Sequence, residues 1–244
     1  MTLPWIVASA AAGLIAGPRL RATIFFRSVQ PGEPPRHACP ACARETGPAG
    51  HRWRALLPVT GRCPACRARI GPAALSVELA AGLALAGAAA RVSSPWELAG
   101  LAWLVLFAVP LAFIDIAVRR LPEALTGGAF AGTAGFLAVA AFTGGHPGQF
   151  ARAGLAAVAL CGFYLLLFLI KPSGMGLGDV KLAASVGCAL GWQGWGQVVA
   201  ATFLAFTAAA LYAAGLVIFR RATATTQFPL GPFMLLGALA VILA

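Results

Sequence analysis

Only two aspartates occur in this 244-residue chain, Asp115 and Asp179. Both adjoin long apolar runs. A carboxylate in a membrane-spanning segment costs roughly 2.5–3.5 kcal/mol at a helix centre and less near an end, so such a residue is a functional-site hypothesis by default. Two of them, in a chain with no other aspartate, suggest one site. Paired carboxylates are the minimum equipment for acid–base hydrolysis with water as the nucleophile. Each also has a simpler reading. Asp115 ends the apolar run 101–114 and precedes Arg119-Arg120-Leu121-Pro122, as an interfacial helix-end acid paired to an arginine would. Asp179 follows Gly174, Gly176 and Gly178 and precedes Val180-Lys181, as an N-cap residue would. The alternating glycines could let the backbone approach an extended substrate and could adopt φ > 0. They lack the Lys-Ser/Thr that completes a P-loop, and Lys181 stands two residues beyond the aspartate.

A second set of reactive residues lies upstream. Cys39-Pro-Ala-Cys42 and Cys63-Pro-Ala-Cys66 form two C-x2-C knuckles separated by residues 43–62. That spacing fits a tetrahedral Zn site of four thiolates. A closed four-thiolate site folds a loop and does no chemistry, so the expected zinc is structural. Four thiolates fill the shell without His37 or His51. A reducing compartment disfavours the disulfide alternative. Cys161 and Cys188 lie in apolar runs and read as buried hydrophobes.

The elements that must position these residues are hydrophobic helices. The chain is 60% hydrophobic and 10% charged, with mean hydropathy +0.85, which is not a soluble globular composition. The expected class is all-α, a polytopic integral membrane protein of about eight transmembrane helices. The spans are 3–17, 74–90, 97–115, 126–143, 151–170, 180–192, 197–219 and 228–244. The first and sixth are short for a span of about 20 residues, and the sixth reads equally as a half-helix or tilted packing element. The division is a first transmembrane helix (1–18), a small cysteine-rich zinc-binding cytoplasmic loop (19–73) and a membrane core (74–244). The first run has no basic region before it, so it reads as a retained span rather than a signal peptide.

The net charge of +11 could suggest nucleic acid, but its placement argues for a membrane. Ten arginines lie between Arg19 and Arg69. Alternating sides from there puts Arg119, Arg120, Lys171, Lys181, Arg220 and Arg221 on the same side, and only Arg91 and Arg152 opposite. This is the positive-inside bias. It makes the arginine-rich loop cytoplasmic and places Asp115 and Asp179 together at that face. No nucleic-acid partner is expected.

Phe113-Ile-Asp115 with Leu121-Pro122, followed by Gly174-Met-Gly-Leu-Gly-Asp179-Val-Lys181, resembles the type IV prepilin peptidases, membrane aspartic proteases of the GxGD class. The two cysteine knuckles in the first loop, Glu78 at the start of the second span, and Phe228-Pro-Leu-Gly-Pro-Phe233 carry the resemblance over most of the chain. It implies an intramembrane aspartic endopeptidase with Asp115 and Asp179 as catalytic residues. Such an enzyme removes the basic leader from type IV prepilins or pseudopilins at the cytoplasmic face of the bacterial inner membrane. Many relatives also N-methylate the new N-terminus with S-adenosylmethionine, and Glu78 is the residue that could serve a cationic amine or sulfonium there. It could equally be an interfacial helix-end acid. Two stretches depart from the family. Residues 16–22 read Ala-Gly-Pro-Arg-Leu-Arg-Ala where a Gly-Ser-Phe-Leu-Asn-Val type is usual. Leu121-Pro122-Glu123 replaces Leu-Pro-Asp.

Other readings are a peptidase without methyltransferase activity, a non-enzymatic assembly factor whose zinc loop docks a partner, and a small transporter using the aspartates as a relay. Transporter acids commonly sit near the midplane in repeated halves. Here both lie near one face and no internal repeat is found.

Overall fold

The computed structural model describes residues 3–30, 32–45, 57–172, 175–219 and 229–244. Of the residues singled out above, His51, Gly174, Arg220, Arg221 and Phe228 lie outside the described residues. Eight helices and no strand are formed among the described residues: α1 (Leu3–Arg27), α2 (Ser76–Arg91), α3 (Pro95–Val118), α4 (Glu123–Gly144), α5 (Pro147–Ile170), α6 (Leu177–Gln193), α7 (Trp195–Ile218) and α8 (Gly231–Leu243). Five of them, α1, α3, α4, α5 and α7, are long and apolar enough to cross a membrane. The 24 residues of α3 rise about 36 Å, enough for a hydrocarbon core of about 30 Å.

Local sequence sets the helix ends. Ser94 accepts from the Glu97 N–H at the start of α3, Pro95 occupies its first turn, and Arg119 closes it in the left-handed region at φ 52°. Gly145, at φ 71°, ends α4. Pro18 does not end α1: the helix runs on to Arg27. Residues 19–27, expected to begin the cytoplasmic loop, are therefore helical.

The bundle is built from chain neighbours packed in pairs: α1 with α2, α3 with α4, α5 with α6 and α7 with α8. Lipid tails are as apolar as leucine, so close van der Waals contact rather than hydrophobicity drives such packing, and small residues permit it. A Cβ on Gly13 of α1 would sit 2.6 Å from the Gly82 N of α2, and one on Gly187 of α6 would sit 2.6 Å from the Ala156 O of α5. The outward faces present large apolar side chains, such as Phe142, Val158, Phe203 and Leu211, where lipid would lie.

The short sixth helix is the centre of the bundle. Nearly every residue of α6 from Asp179 to Trp192 is buried, as expected of a helix apolar all round. Helices α4, α5, α7 and α8 all pack on it. Its far end is closed by Arg152, whose guanidinium donates to the carbonyls of Gly191 (2.7 Å), Trp192 (2.6 Å) and Gln193 (3.3 Å). A cation at a helix C-terminus is favoured by the macrodipole and satisfies orphan carbonyls. That gives Arg152, which the sequence sets apart from most of the basic residues, a structural role.

Candidate active site

Asp115 occupies the last turn of α3 and is buried at 5% exposure; Asp179 occupies the first turn of α6 and is buried at 7%. The structure brings them together, with the two carboxyls close enough to repel one another. Each is held by a backbone N–H at the start of a helix. Gly231, the first residue of α8, donates to Asp115 Oδ2 at 3.1 Å. Gly176, preceding α6, donates to Asp179 Oδ2 at 3.0 Å, and its carbonyl accepts from the Asp179 N–H at 3.0 Å. Helix N-termini favour negative charge. Asp179 is thus not the N-cap itself but the residue three positions in, reaching back. That capping takes one oxygen only. Asp179 Oδ1 is buried with no hydrogen-bond partner among the described residues, an arrangement that costs free energy unless something else is bound there. Asp115 forms no ion pair with an arginine among the described residues. Arg119 lies within electrostatic reach, while Arg120 turns away to the Val29 and Gln30 carbonyls beside α1.

Leu121, in the α3–α4 turn, spaces the two helix starts. A Cβ on Gly178 would sit 2.7 Å from Leu121 Cβ, and one on Gly231 would sit 3.5 Å from Leu121 Cδ1 and 2.9 Å from Asp115 Oδ2. Gly178 and Gly231 are therefore glycines because other atoms occupy their side-chain space. Of the two described glycines of this segment neither takes a positive φ: Gly176 has φ −91°, and Gly178 is not among the positive-φ residues. Lys181 faces Glu123 at the start of α4, its Nζ 2.5 Å from Glu123 Oε1. The pair is largely solvent-exposed and ties α6 to α4, a contact worth under about 1 kcal/mol. Tyr164 of α5, fully buried, lies within electrostatic reach of Asp179 and stacks on Phe206 of α7.

Glu78 is buried and paired rather than exposed at a helix end. It is 2% exposed, and both its oxygens accept from Arg21 of α1, from Nε at 2.7 Å and from Nη2 at 2.7 Å. Arg21, 1% exposed, also donates to the carbonyls of Pro72 (3.0 Å) and Ala73 (2.8 Å). A side chain on Gly17 would strike Glu78, its Cβ 2.3 Å from Glu78 Cγ. This bidentate pair fastens α1, α2 and the end of the cysteine loop together. Arg21 escaped sequence reasoning because it stands among ten arginines that the positive-inside bias already explains.

The four cysteines come together as their spacing predicts. Their sulfurs all lie within 4.8 Å of one another, with Cys39–Cys66 at 3.7 Å and Cys42–Cys63 at 3.8 Å. Tetrahedral zinc with Zn–S of about 2.3 Å sets sulfurs about 3.8 Å apart; a disulfide would need about 2.05 Å. The two knuckles repeat one backbone pattern. Cys39 N donates to Arg44 O and Ala43 N to Cys39 O; Cys63 N donates to Ala68 O and Arg67 N to Cys63 O. Ala43 and Arg67 both turn in the left-handed region. Backbone N–H groups of Cys66 and then Ala65 hold the Cys63 thiol down to about 6. The residues fit zinc. Cys39 and Cys63 pack with Phe25 and Phe26 of α1, Leu57 and Ile70, seating the loop on the end of the first helix.

A family model described as the Type IV leader peptidase family matches residues 101–243, a stretch that holds Asp115, Asp179 and Gly231 and leaves out the cysteine loop, Arg21 and Glu78. No curated protein and no solved structure matches the chain.

Proposed function

Because that match covers more than half of it, the chain belongs to the type IV leader peptidase family, and we propose that it is an aspartic endopeptidase whose reacting pair is Asp115 and Asp179. The observation that carries this is the convergence of the chain's only two aspartates in a buried site, with Asp179 Oδ1 unsatisfied among the described residues. One carboxylate, ionised, takes a proton from water as its oxygen attacks the scissile carbonyl. The other, protonated, hydrogen-bonds the carbonyl oxygen and gives its proton to the departing amine. One water is consumed, the C–N bond breaks, and the pair ends with its proton exchanged between partners. The N–H groups of Gly231 and Gly176 fix the two carboxyls so that little reorganisation is needed. The substrate is a prepilin or pseudopilin: a short basic leader followed by a hydrophobic helix, cut at their junction. The arginine placement supports a site at the cytoplasmic face of a bacterial inner membrane. Cys39, Cys42, Cys63 and Cys66 would hold a structural zinc, which shapes the loop.

Glu78 does not fit a methyl-donor site. Each of its oxygens accepts from a buried guanidinium, so its charge is already paired inside the protein. This favours a peptidase in which Glu78 is structural.

The test is incubation of the purified protein in lipid with a prepilin and S-adenosylmethionine, the product read by intact mass. The expected product lacks its leader and carries no added methyl group. Asp115→Asn and Asp179→Asn should each lower turnover by roughly 10²–10⁴ while the protein keeps its zinc and melting temperature. Undiminished cleavage by Asp179→Asn would sink the assignment, since asparagine can keep the capping bond but cannot move the proton.

A further inference from the structure

An apolar cleft of about 410 Å³ runs between α2, α3 and α8. It lies in the size range of ligand pockets, but no titratable side chain lines it. One end is lined by Ile116 and Pro232. Ile116 follows Asp115, and Pro232 follows Gly231, whose N–H holds Asp115. The cleft therefore starts one residue from Asp115 on α3 and one residue from its N–H donor Gly231 on α8. From there it follows α3 back through Ala112 and Ala108 to Leu104, about three turns and roughly 18 Å. At the far end Leu243 sits on Gly87, where a Cβ would lie 2.3 Å from Leu243 Cδ2, and this contact closes the space between α2 and α8. The side is open: Ile116, Leu83 and Leu236 on its rim are 60%, 70% and 59% exposed.

We propose that this cleft receives the hydrophobic helix of the peptidase substrate, entering sideways from the bilayer with its first residues at Ile116 and Pro232. The proposal rests on the peptidase reading. A polar or charged ligand would find no partner along these walls. Alanines one turn apart, Ala80 and Ala84 on α2 and Ala108 and Ala112 on α3, let another helix approach closely, which is how helices associate where lipid removes the hydrophobic drive. The directions also agree. A substrate whose leader precedes its helix would put their junction at the Ile116 end, beside Asp115, only if the helix runs toward Leu104 and Leu243. The cleft extends that way, away from the site. About the first three turns of the substrate helix would be gripped, with the rest in lipid.

Two measurements test this. In the first, wild type is given a full prepilin and a version ending a few residues beyond the cleavage site. The peptidase reading expects cleavage of the full substrate, and no cleavage by wild type would sink that reading alone. The cleft predicts kcat/KM at least about tenfold higher for the full substrate, a preference that Ala112→Trp should collapse toward unity and that Phe203→Trp, on the outer face of α7, should leave intact. A preference that survives Ala112→Trp overturns the proposal. In the second, a photo-crosslinking residue replaces Leu236 or Leu239 in an Asp179→Asn background, with Phe203 as the reference position. Capture of the uncut prepilin from the cleft positions and not from Phe203 supports the proposal, even if Ala112→Trp fails to fold. Capture of lipid alone, or of a second copy of the enzyme, overturns it.

Discussion

Replacing Gly231 by alanine should separate stability from catalysis. Gly231 lies outside the left-handed region, so alanine meets no backbone penalty, and in a helix it gains roughly 0.5–1 kcal/mol over glycine. The added Cβ would lie 2.9 Å from Asp115 Oδ2 and 3.5 Å from its Cγ. The carboxylate is the atom group free to yield, and it must swing away from the N–H that now holds it at 3.1 Å. A hydrogen bond to a charged group is worth about 1.5–3 kcal/mol. Loss of that share of the aligned geometry in the transition state lowers the rate roughly ten- to hundredfold at about 1.4 kcal/mol per decade. The assay is single-turnover cleavage of a prepilin, followed by intact mass, beside a melting curve in the same detergent. Gly162→Ala on α5 is the reference, since nothing lies within 4 Å of its Cβ. The expected result is a melting temperature modestly below wild type, since the lost hydrogen bond outweighs the helix gain, with turnover lowered roughly ten- to hundredfold in the folded protein. Turnover within twofold of wild type, in a variant that melts normally, would refute the claim that Gly231 positions Asp115.

Arg21→Met should leave Glu78 buried and uncompensated and cost roughly 3–5 kcal/mol, while adding Glu78→Met should recover much of it; a single variant as stable as wild type in urea or thermal melts would rule out the buried pair. Zinc should be found at about one per chain by elemental analysis, be lost in Cys63→Ser, and its removal by chelator should expose the loop to trypsin. Arg152→Ala should destabilise the bundle by about 1–2 kcal/mol through the uncapped end of α6, seen as a lower melting temperature.

The carboxyl pair was legible because an aspartate in an apolar chain has few inexpensive places to be, and the arginine bias assigned both to one side. The knuckles were legible because cysteine spacing encodes a local backbone shape. What escaped were contacts between distant positions. The segment 228–233 could be noticed in sequence, yet the reason for its glycine is a carboxylate 116 positions away. Arg21 was hidden by its abundance of neighbours of the same kind, so its pairing with Glu78 could not be read from the sequence. The shortness of the sixth run marked it as a half-helix or tilted packing element; the 17 residues of α6 are enough for a helix surrounded by other helices. The first span was expected to close at residue 17, but the helix continues through Pro18 to carry Arg21, Phe25 and Phe26 to the cysteine loop.

The bond from Gly231 to Asp115 also sets an order of events during synthesis. The cysteine loop, α1 and α2 can close on themselves through Arg21 and Glu78 as soon as the first third of the chain exists. Asp179 receives its N–H from Gly176, only three residues away. Asp115 must wait for the eighth helix. A growing chain that already displays both aspartates is therefore still short of the donor that holds the first of them, and a hydrolysis that uses the pair would need α8 in place.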